Sequence, residues 1–449
     1  MKRYLLLFGF SVASLLCSSQ TVEYDLSKYK LPDIKRQQID LSIYSSGRNT
    51  STKVYYENEN QVDTIKRNSN YFNGQGYLNY SFYRNTKKVQ SDIYSLLKSL
   101  YNHDKEKEIS SVKDQFNLNS EFLFYYDLKY FLTANNWFVT TVPSINTGYS
   151  NNDNQLDSEN SLKILKTRPS LTIGGGKGRI EQVQDFRHAI LLIEELKKRG
   201  VSKHDLSDSK ILEFASLISN LKNQRFFDTR KQKEKELVAL DSFLVKNGVI
   251  EEQDISYFTG LEDIWSYGGL QIRESGNQLV FSAKPEYYYL NYLNETENNI
   301  MENWSLRYNL TYVSKNPLSI KWQTDYVLGI EQSSTYRLRK TNEWWPDRTY
   351  NSALYLSGKA GYYPNTRTYF DLVGSFSLIN YSEERMFERE DIKLNINFST
   401  SGYYYISEKL RLGYSINYFG LCGNLFKSEY RKDYTQNILY NINLSYAIF

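Results

Sequence analysis

The sequence predicts an all-β transmembrane antiparallel β-barrel of about twelve strands, with fourteen as the alternative count, and a small three-helix insert. Three observations carry that expectation. The chain is polar on average, with a mean hydropathy of -0.59, yet 16% of its 449 residues are aromatic and 41 are Tyr. A barrel strand alternates lipid-facing with lumen-facing residues and places Tyr and Trp at both interfaces, so a polar mean and a high Tyr content go together. The C-terminal part alternates apolar and polar residues with a period of two, strand after strand. The connections between those strands alternate long and short, as outer loops and periplasmic turns do.

The N-terminus reads as a signal peptide, residues 1–19. Lys2 and Arg3 form the charged start, Tyr4 to Leu16 the apolar stretch, and Cys17 and Ser19 the small residues before cleavage at Gln20. Acylation of Cys17 as a lipoprotein is disfavoured by the bulky Leu16 before it. The mature chain then keeps one cysteine, Cys422, and forms no internal disulfide. Past this leader no apolar run approaches the roughly 18 residues of a membrane helix, so residence in a membrane requires a barrel. The net charge of +4, from 55 basic and 51 acidic residues, is too even to argue for nucleic acid.

The mature chain divides into an N-terminal periplasmic segment (20–50), the barrel (51–176 and 251–449) and a periplasmic helical insert (177–250). In the first barrel part, strands are expected near 51–60, 71–84, 116–132 and 160–173. Phe122, Phe124, Tyr126, Leu128 and Tyr130 mark the third. Residues 85–115 read as a periplasmic excursion with a short helix around Ile93–Leu100. The Asn-rich 143–161 reads as an outer loop. Ile39, Leu41 and Ile43 offer the start of one further strand. After the insert, eight strands are expected near 277–292, 303–313, 318–331, 350–361, 366–380, 391–405, 408–419 and 436–449. The connections 293–302, 332–349, 381–390 and 420–435 are long, whereas 314–317, 362–365 and 406–407 are short. That parity puts the start of the strand at 277, and the insert before it, on the periplasmic side.

Between 177 and 248 the composition changes: Tyr, Trp and Pro vanish and the period becomes helical. Val183, Phe186, Ile190, Ile193 and Leu196 mark one face, with Gly200 as a stop. Ser207 or Asp208 caps a second helix carrying Ile211, Phe214, Ala215, Ile218 and Leu221. A third carries Leu237, Leu240, Phe243 and Leu244 and ends near Gly248. The glycines at 174–176, before Lys177, match neither a phosphate loop nor a dinucleotide fingerprint. They read as a flexible exit from a strand, with anion binding by Lys177 and Arg179 at a helix start as the rarer reading.

Two stretches carry a resemblance. The chain ends Tyr440, Ile442, Leu444, Tyr446, Ile448, Phe449, and resembles bacterial outer-membrane barrel proteins whose last strand ends in an aromatic read by the insertion machinery. Phe449 lies one residue out of the lipid-facing phase, which departs from that pattern. Residues from Gly178 through 223–244 (NQRFFDTRKQKEKELVALDSFL) resemble the helical insert of a group of uncharacterised, porin-like outer-membrane barrel proteins. The resemblance implies an outer-membrane location and this architecture, and brings no activity. Lys177, Arg179, Glu181, Asp185, Arg187, Arg225, Asp228 and Arg230 are the charged residues of that region. They read first as a structural ion-pair network, and second as a face for gating or for docking a periplasmic protein.

No catalytic, cofactor or metal constellation stands out. His103 falls in an expected loop, and His188 and His204 in or beside the insert, so no histidine is expected on a strand where a lipid-facing Ser–His pair would need one. The carboxylates Glu383, Glu384, Glu388 and Glu390 fall in an outer loop and read as a solvated rim. Trp344 and Trp345 form an exposed loop tip, a candidate surface contact. The expected function is a porin-like channel for small polar solutes with a helical module that plugs or gates it. The alternative is a structural, assembly or secretion component docking a periplasmic partner through the insert. The expected partners are outer-membrane lipid and the insertion machinery, with no nucleic acid and no cofactor.

Overall fold

The computed structural model describes residues 24–58, 61–107, 112–132, 135–154, 162–202, 204, 206–224, 229–250, 253–269, 271–294, 297–339, 348–383, 391–407, 410–423 and 434–446. Six strands come first: β1 (Ile34–Asn58), β2 (Gln61–Asn85), β3 (Val89–Lys107), β4 (Val112–Phe131), β5 (Trp137–Asn154) and β6 (Leu162–Gln182). Four helices follow: α1 (Gln184–Lys198), α2 (Asp208–Asn223), α3 (Thr229–Lys246) and α4 (Ile255–Tyr267). Eight more strands complete the chain. They are β7 (Glu274–Leu293), β8 (Asn298–Asn316), β9 (Trp322–Arg339), β10 (Arg348–Tyr362), β11 (Tyr369–Glu383), β12 (Asp391–Tyr405), β13 (Leu410–Cys422) and β14 (Tyr434–Tyr446). All fourteen form one antiparallel sheet in sequence order, with β1 and β14 at its edges.

Residues directly opposite in a ladder share a face, so one face can be followed around the sheet. Leu41 lies opposite Leu78, Leu78 opposite Leu97, Leu97 opposite Phe122 and Phe122 opposite Thr147. The same face passes through Thr167 to Tyr289. It continues as Phe281–Leu310, Leu310–Ile330, Ile330–Leu354, Leu354–Leu378 and Leu378–Leu394. Phe398, Tyr418 and Ile438 carry it to the last strand. Many of these side chains are exposed, among them Leu41, Phe281, Leu310, Ile330, Phe398 and Ile438. Water does not tolerate so long an apolar surface, and a lipid bilayer does. No helix among the described residues is long and apolar enough to cross a membrane.

Several expectations are corrected. Residues 34–50 are not a separate periplasmic segment: Ile39, Leu41 and Ile43 belong to β1, the same strand as 51–58. Residues 89–107 are β3, and the expected helix at Ile93–Leu100 is absent. Ile93, Leu96, Leu97 and Leu100 have helical spacing, but Ile93 and Leu97 face lipid while Leu96 and Leu100 face the other way. The 143–161 loop is largely taken up by β5, which runs to Asn154, with Ser144 Oγ bonded to Ser170 Oγ of β6 across the pair. β3 and β5 are therefore strands the sequence reading missed.

Strands also run past the apolar belt, up to 25 residues in β1 and β2. Each backbone group finds its partner in the neighbouring strand whatever the side chain, so a polar ladder continues without penalty. This shortens the expected outer loops: 293–302 becomes 294–297, shorter than the turn 317–321 at the opposite end. Strand order still puts the insert at the same end as the connections expected to be short, while length alone no longer separates the two ends. The insert leaves the sheet at the end that carries the turns 86–88, 132–136, 317–321, 363–368 and 406–409.

The insert holds four helices and extends beyond residue 250. The missed helix, α4, is capped by Asp254, whose carboxylate accepts from the Tyr257 amide at 2.7 Å. Its Tyr, Phe and Trp content resembles the barrel composition, which hid it. The chain's main buried core lies here rather than in the sheet, and the N-terminal segment completes it. Leu26 and Tyr29, around a 3-10 turn at Leu26–Lys28, pack with Phe186, Leu192, Phe214, Leu244 and Trp265. Gly200 and Gly248 end α1 and α3 with φ of 73° and 69°, as the sequence indicated.

Candidate functional site

The second face of the sheet is polar and lines the lumen. On its β6–β11 side, charges meet in pairs. Glu286 receives Lys284 at 2.9 Å and Arg168 at 3.6 Å. Lys315 bridges Glu274 and Asp325, each at 3.1 Å. Arg307 pairs with Glu331 at 3.5 Å and Lys359 with Asp371 at 3.1 Å. The Tyr355 hydroxyl lies 2.6 Å from Thr311 Oγ1 and 3.0 Å from Asn309 Oδ1. Its ring occupies the space that a side chain at Gly329 would fill. On β11 and β12 amides and hydroxyls take over, with Asn395 and Asn397 donating to Ser377 and Ser375.

At the short-turn end, three arginines gather turn carbonyls. Carbonyl oxygens in a turn point away from any ladder, and a guanidinium offers five donors in a fixed fork. Arg179, on β6, donates to the Lys87 and Thr86 carbonyls at 3.0 and 2.8 Å and to Asn85 at 2.9 Å. It also pairs with Glu181 and lies over the Phe131 ring. Arg187, on α1, donates to the carbonyls of Ile320 at 2.9 Å and Tyr363 at 3.1 Å. Arg273, between α4 and β7, donates to the carbonyls of Ser319, Ile320 and Trp322, each at 2.7 Å, and to Gln323. Arg187 and Arg273 are fully buried. Burial lowers their guanidinium pKa values to about 10 and about 9, still well above neutral, so both stay charged.

Asp185 joins the N-terminal turn to two helices. It pairs with Lys222 on α2 at 2.6 Å and accepts from Ser219, whose hydroxyl lies 2.8 Å from that of Tyr29. Burial raises the Tyr29 phenol well above its ordinary range, so it stays protonated. The module thus spans from the β1–β2 side to the turns 317–321 and 363–368, where Asp263 also faces Arg367 at 3.7 Å.

Of the residues singled out from sequence, Arg179, Glu181, Asp185 and Arg187 stand in these contacts. Lys177 lies on β6 over the Trp137 ring. Arg225, Asp228, Trp344, Trp345 and Phe449 lie outside the described residues, as does the side chain of Arg230 on α3. Arg273, Lys222 and Tyr29 were missed. Arg273 precedes β7 without any motif, and only the fold brings it to the turns. The glycine run is not a flexible exit, because β6 continues through it to Gln182. Side chains at Gly176 and Gly178 would meet the Leu279 and Asn277 carbonyl oxygens at 2.2 and 2.0 Å. Gly178 has a φ of 109° besides. His103 is not in a loop. It stands on β3, directly across from Phe72 and Phe116.

These strands and this lumen define a transmembrane antiparallel β-barrel protein of fourteen strands with a helical insert at one mouth. No protein-family model matches the chain, and no curated protein does. Two solved structures align over most of its length. One, described as a bacterial polysaccharide outer membrane secretin, shares 6% identity over 94% of this chain and 99% of that one, with a TM-score of 0.26. The other, Pseudomonas aeruginosa OccK5 (OpdH), shares 6% identity over 92% and 98%, with a TM-score of 0.23. Likenesses this weak carry nothing further, and the class rests on the strands themselves.

Proposed function

We propose that this protein is an outer-membrane channel for small polar solutes, with the helical module as a fixed plug at its periplasmic mouth. One observation carries the reading: a polar, ion-paired lumen face runs to a mouth across which a folded module is fastened by buried arginines. The fastening favours a plug over a swinging gate. Arg187 and Arg273 make six bonds to the turn regions between them, and the module's core includes Leu26 and Tyr29, a few residues before β1. Swinging the module out would break these charge-assisted bonds and pull the first strand. Lumen charges of both signs in close pairs give weak ion selectivity.

Reconstitution in planar bilayers tests this. Discrete conductance steps with a reversal potential near zero in a salt gradient are the expected result. Membranes that stay silent with correctly folded protein would remove the channel reading. The second reading, a dock for a periplasmic protein, is favoured by the exposed Val238, Val245, Ile255 and Phe258 on α3 and α4. It predicts a specific co-purifying protein that is lost when Val238 and Phe258 are replaced by Asp.

A further inference from the structure

We infer that solutes pass the plug on one side only, through a polar gap between α1–α2 and the lumen face of β1–β3. The inference rests on the channel reading and adds the route. The fastenings of the module are lopsided. Arg187, Arg273 and Asp263 hold it to the turns 317–321 and 363–368, on the side of β8–β11. Towards β1–β3 the module meets Ile34 and Tyr83 through its apolar core, and the polar fastening is slighter. Asn223, at the end of α2, donates to the Lys35 carbonyl at 3.3 Å.

Beside that contact lies a cavity of about 330 Å³. Arg36, Ser81 and Asp92 form its wall, and Gln184, Lys222 and Asn223 its module side. Arg36 lies opposite Tyr83, and Ser81 opposite Tyr94. All four, with Asp92, are out of phase with the apolar belt, so the cavity opens on the lumen. Its volume equals roughly ten waters at ~30 Å³ each, and it stands at the lower end of the ~300–1,000 Å³ of small-molecule sites. A hydrated ion or a compact solute fits; a folded protein does not.

Charges of both signs line it. Arg36 and Asp92 stand on the wall, and Asp185 holds Lys222 on the module. Such a lining suits neutral or zwitterionic solutes and gives no single-sign barrier. On the fastened side the turn carbonyls of Ser319, Ile320, Trp322 and Tyr363 are taken by guanidinium groups.

Single cysteines in a Cys422→Ser background test the route in reconstituted protein. Ser81→Cys places a thiol on the wall, Asn223→Cys one on the module, and Lys321→Cys a control on the fastened side. A bulky cationic methanethiosulfonate reagent is expected to cut conductance by more than half at the first two positions and to leave the third unchanged. Channels that conduct normally but ignore the reagent at both gap positions, with modification shown by mass, would overturn the route and leave the channel standing. Loss of conductance at Lys321→Cys alone would place the path on the opposite side. Absence of conductance in unmodified protein would instead defeat the channel reading itself.

Discussion

Arg187 illustrates how one side chain here joins parts far apart in sequence. It sits on α1, is fully buried, and reaches the carbonyls of Ile320 and Tyr363 at once. Taking a guanidinium out of water is costly, and the bonds to two carbonyls with no ladder partner offset that cost. Arg187→Ala removes the fork and leaves the Tyr363 oxygen without its donor, while the Ile320 oxygen keeps Arg273, which should destabilise the module by about 2 kcal/mol. Arg187→Lys keeps the charge, but a single ammonium lacks the planar fork, so it should restore less than half of the loss. Thermal unfolding and trypsin cleavage at Lys198 and Arg199 read both variants. Wild-type stability in Arg187→Ala would mean that the arginine does not fasten the module.

Among the elements, the N-terminal turn and α1 show how the module is tied to the sheet. Tyr29 stacks on Phe186 with ring centroids 5.9 Å apart, and its hydroxyl meets Ser219. Leu26 is 1% exposed in the same cluster. Leu26→Ala should cost about 2–5 kcal/mol through the cavity it leaves. Tyr29→Phe, which keeps the ring and loses the hydroxyl bond, should cost about 1 kcal/mol. The ratio of the two, from thermal unfolding of the module, separates packing from hydrogen bonding. Equal effects would contradict this division. β3 shows the opposite side of element formation. Leu96 and Leu97 are adjacent and apolar, a pattern that fits a helix as well as a strand. Pairing with β2 and β4 on both sides decides for the strand, because each ladder supplies hydrogen bonds that an isolated helix of eight residues cannot match.

At the scale of the whole molecule, β1 and β14 are the two edges of the sheet. Both carry the apolar phase fully exposed: Ile39, Leu41 and Ile43 on one, Ile438, Tyr440, Ile442 and Leu444 on the other. Two long unpaired edges are a liability in any sheet, and closure into a barrel removes both. The strand number is even, so β14 runs antiparallel to β1 and the two belts come side by side. Leu41→Cys combined in turn with a cysteine at Ile438, Tyr440, Ile442 or Leu444, in a Cys422→Ser background, should therefore form a disulfide within one chain for at least one pair. Directly opposite residues have Cβ atoms about 4.5–5.5 Å apart, close enough for that bond once the strands adjust. A gel shift reversed by reductant, at monomer size, is the expected readout. A disulfide-linked dimer would show that the edges meet a second copy instead.

The period-two stretches of β4, β8, β9, β12 and β14 and the composition break at 177 were legible in the sequence, because side-chain alternation and helical spacing are local properties. So were Gly200 and Gly248 as helix ends, since only a positive φ there demands glycine. The strand count was not fully legible: β3 mimics a helix, β5 is too polar to show a belt, and both exist because neighbours pair with them. The site was the least legible part. Arg179 and Asp185 stood out as charges, but charge alone does not say what a side chain will touch. Local pattern was enough for a barrel with a helical module at one mouth. That buried arginines fasten that module to the turns on one side, with a polar cavity on the other, depends on the assembled fold. Those contacts join residues up to 176 positions apart, a distance over which local pattern carries no information.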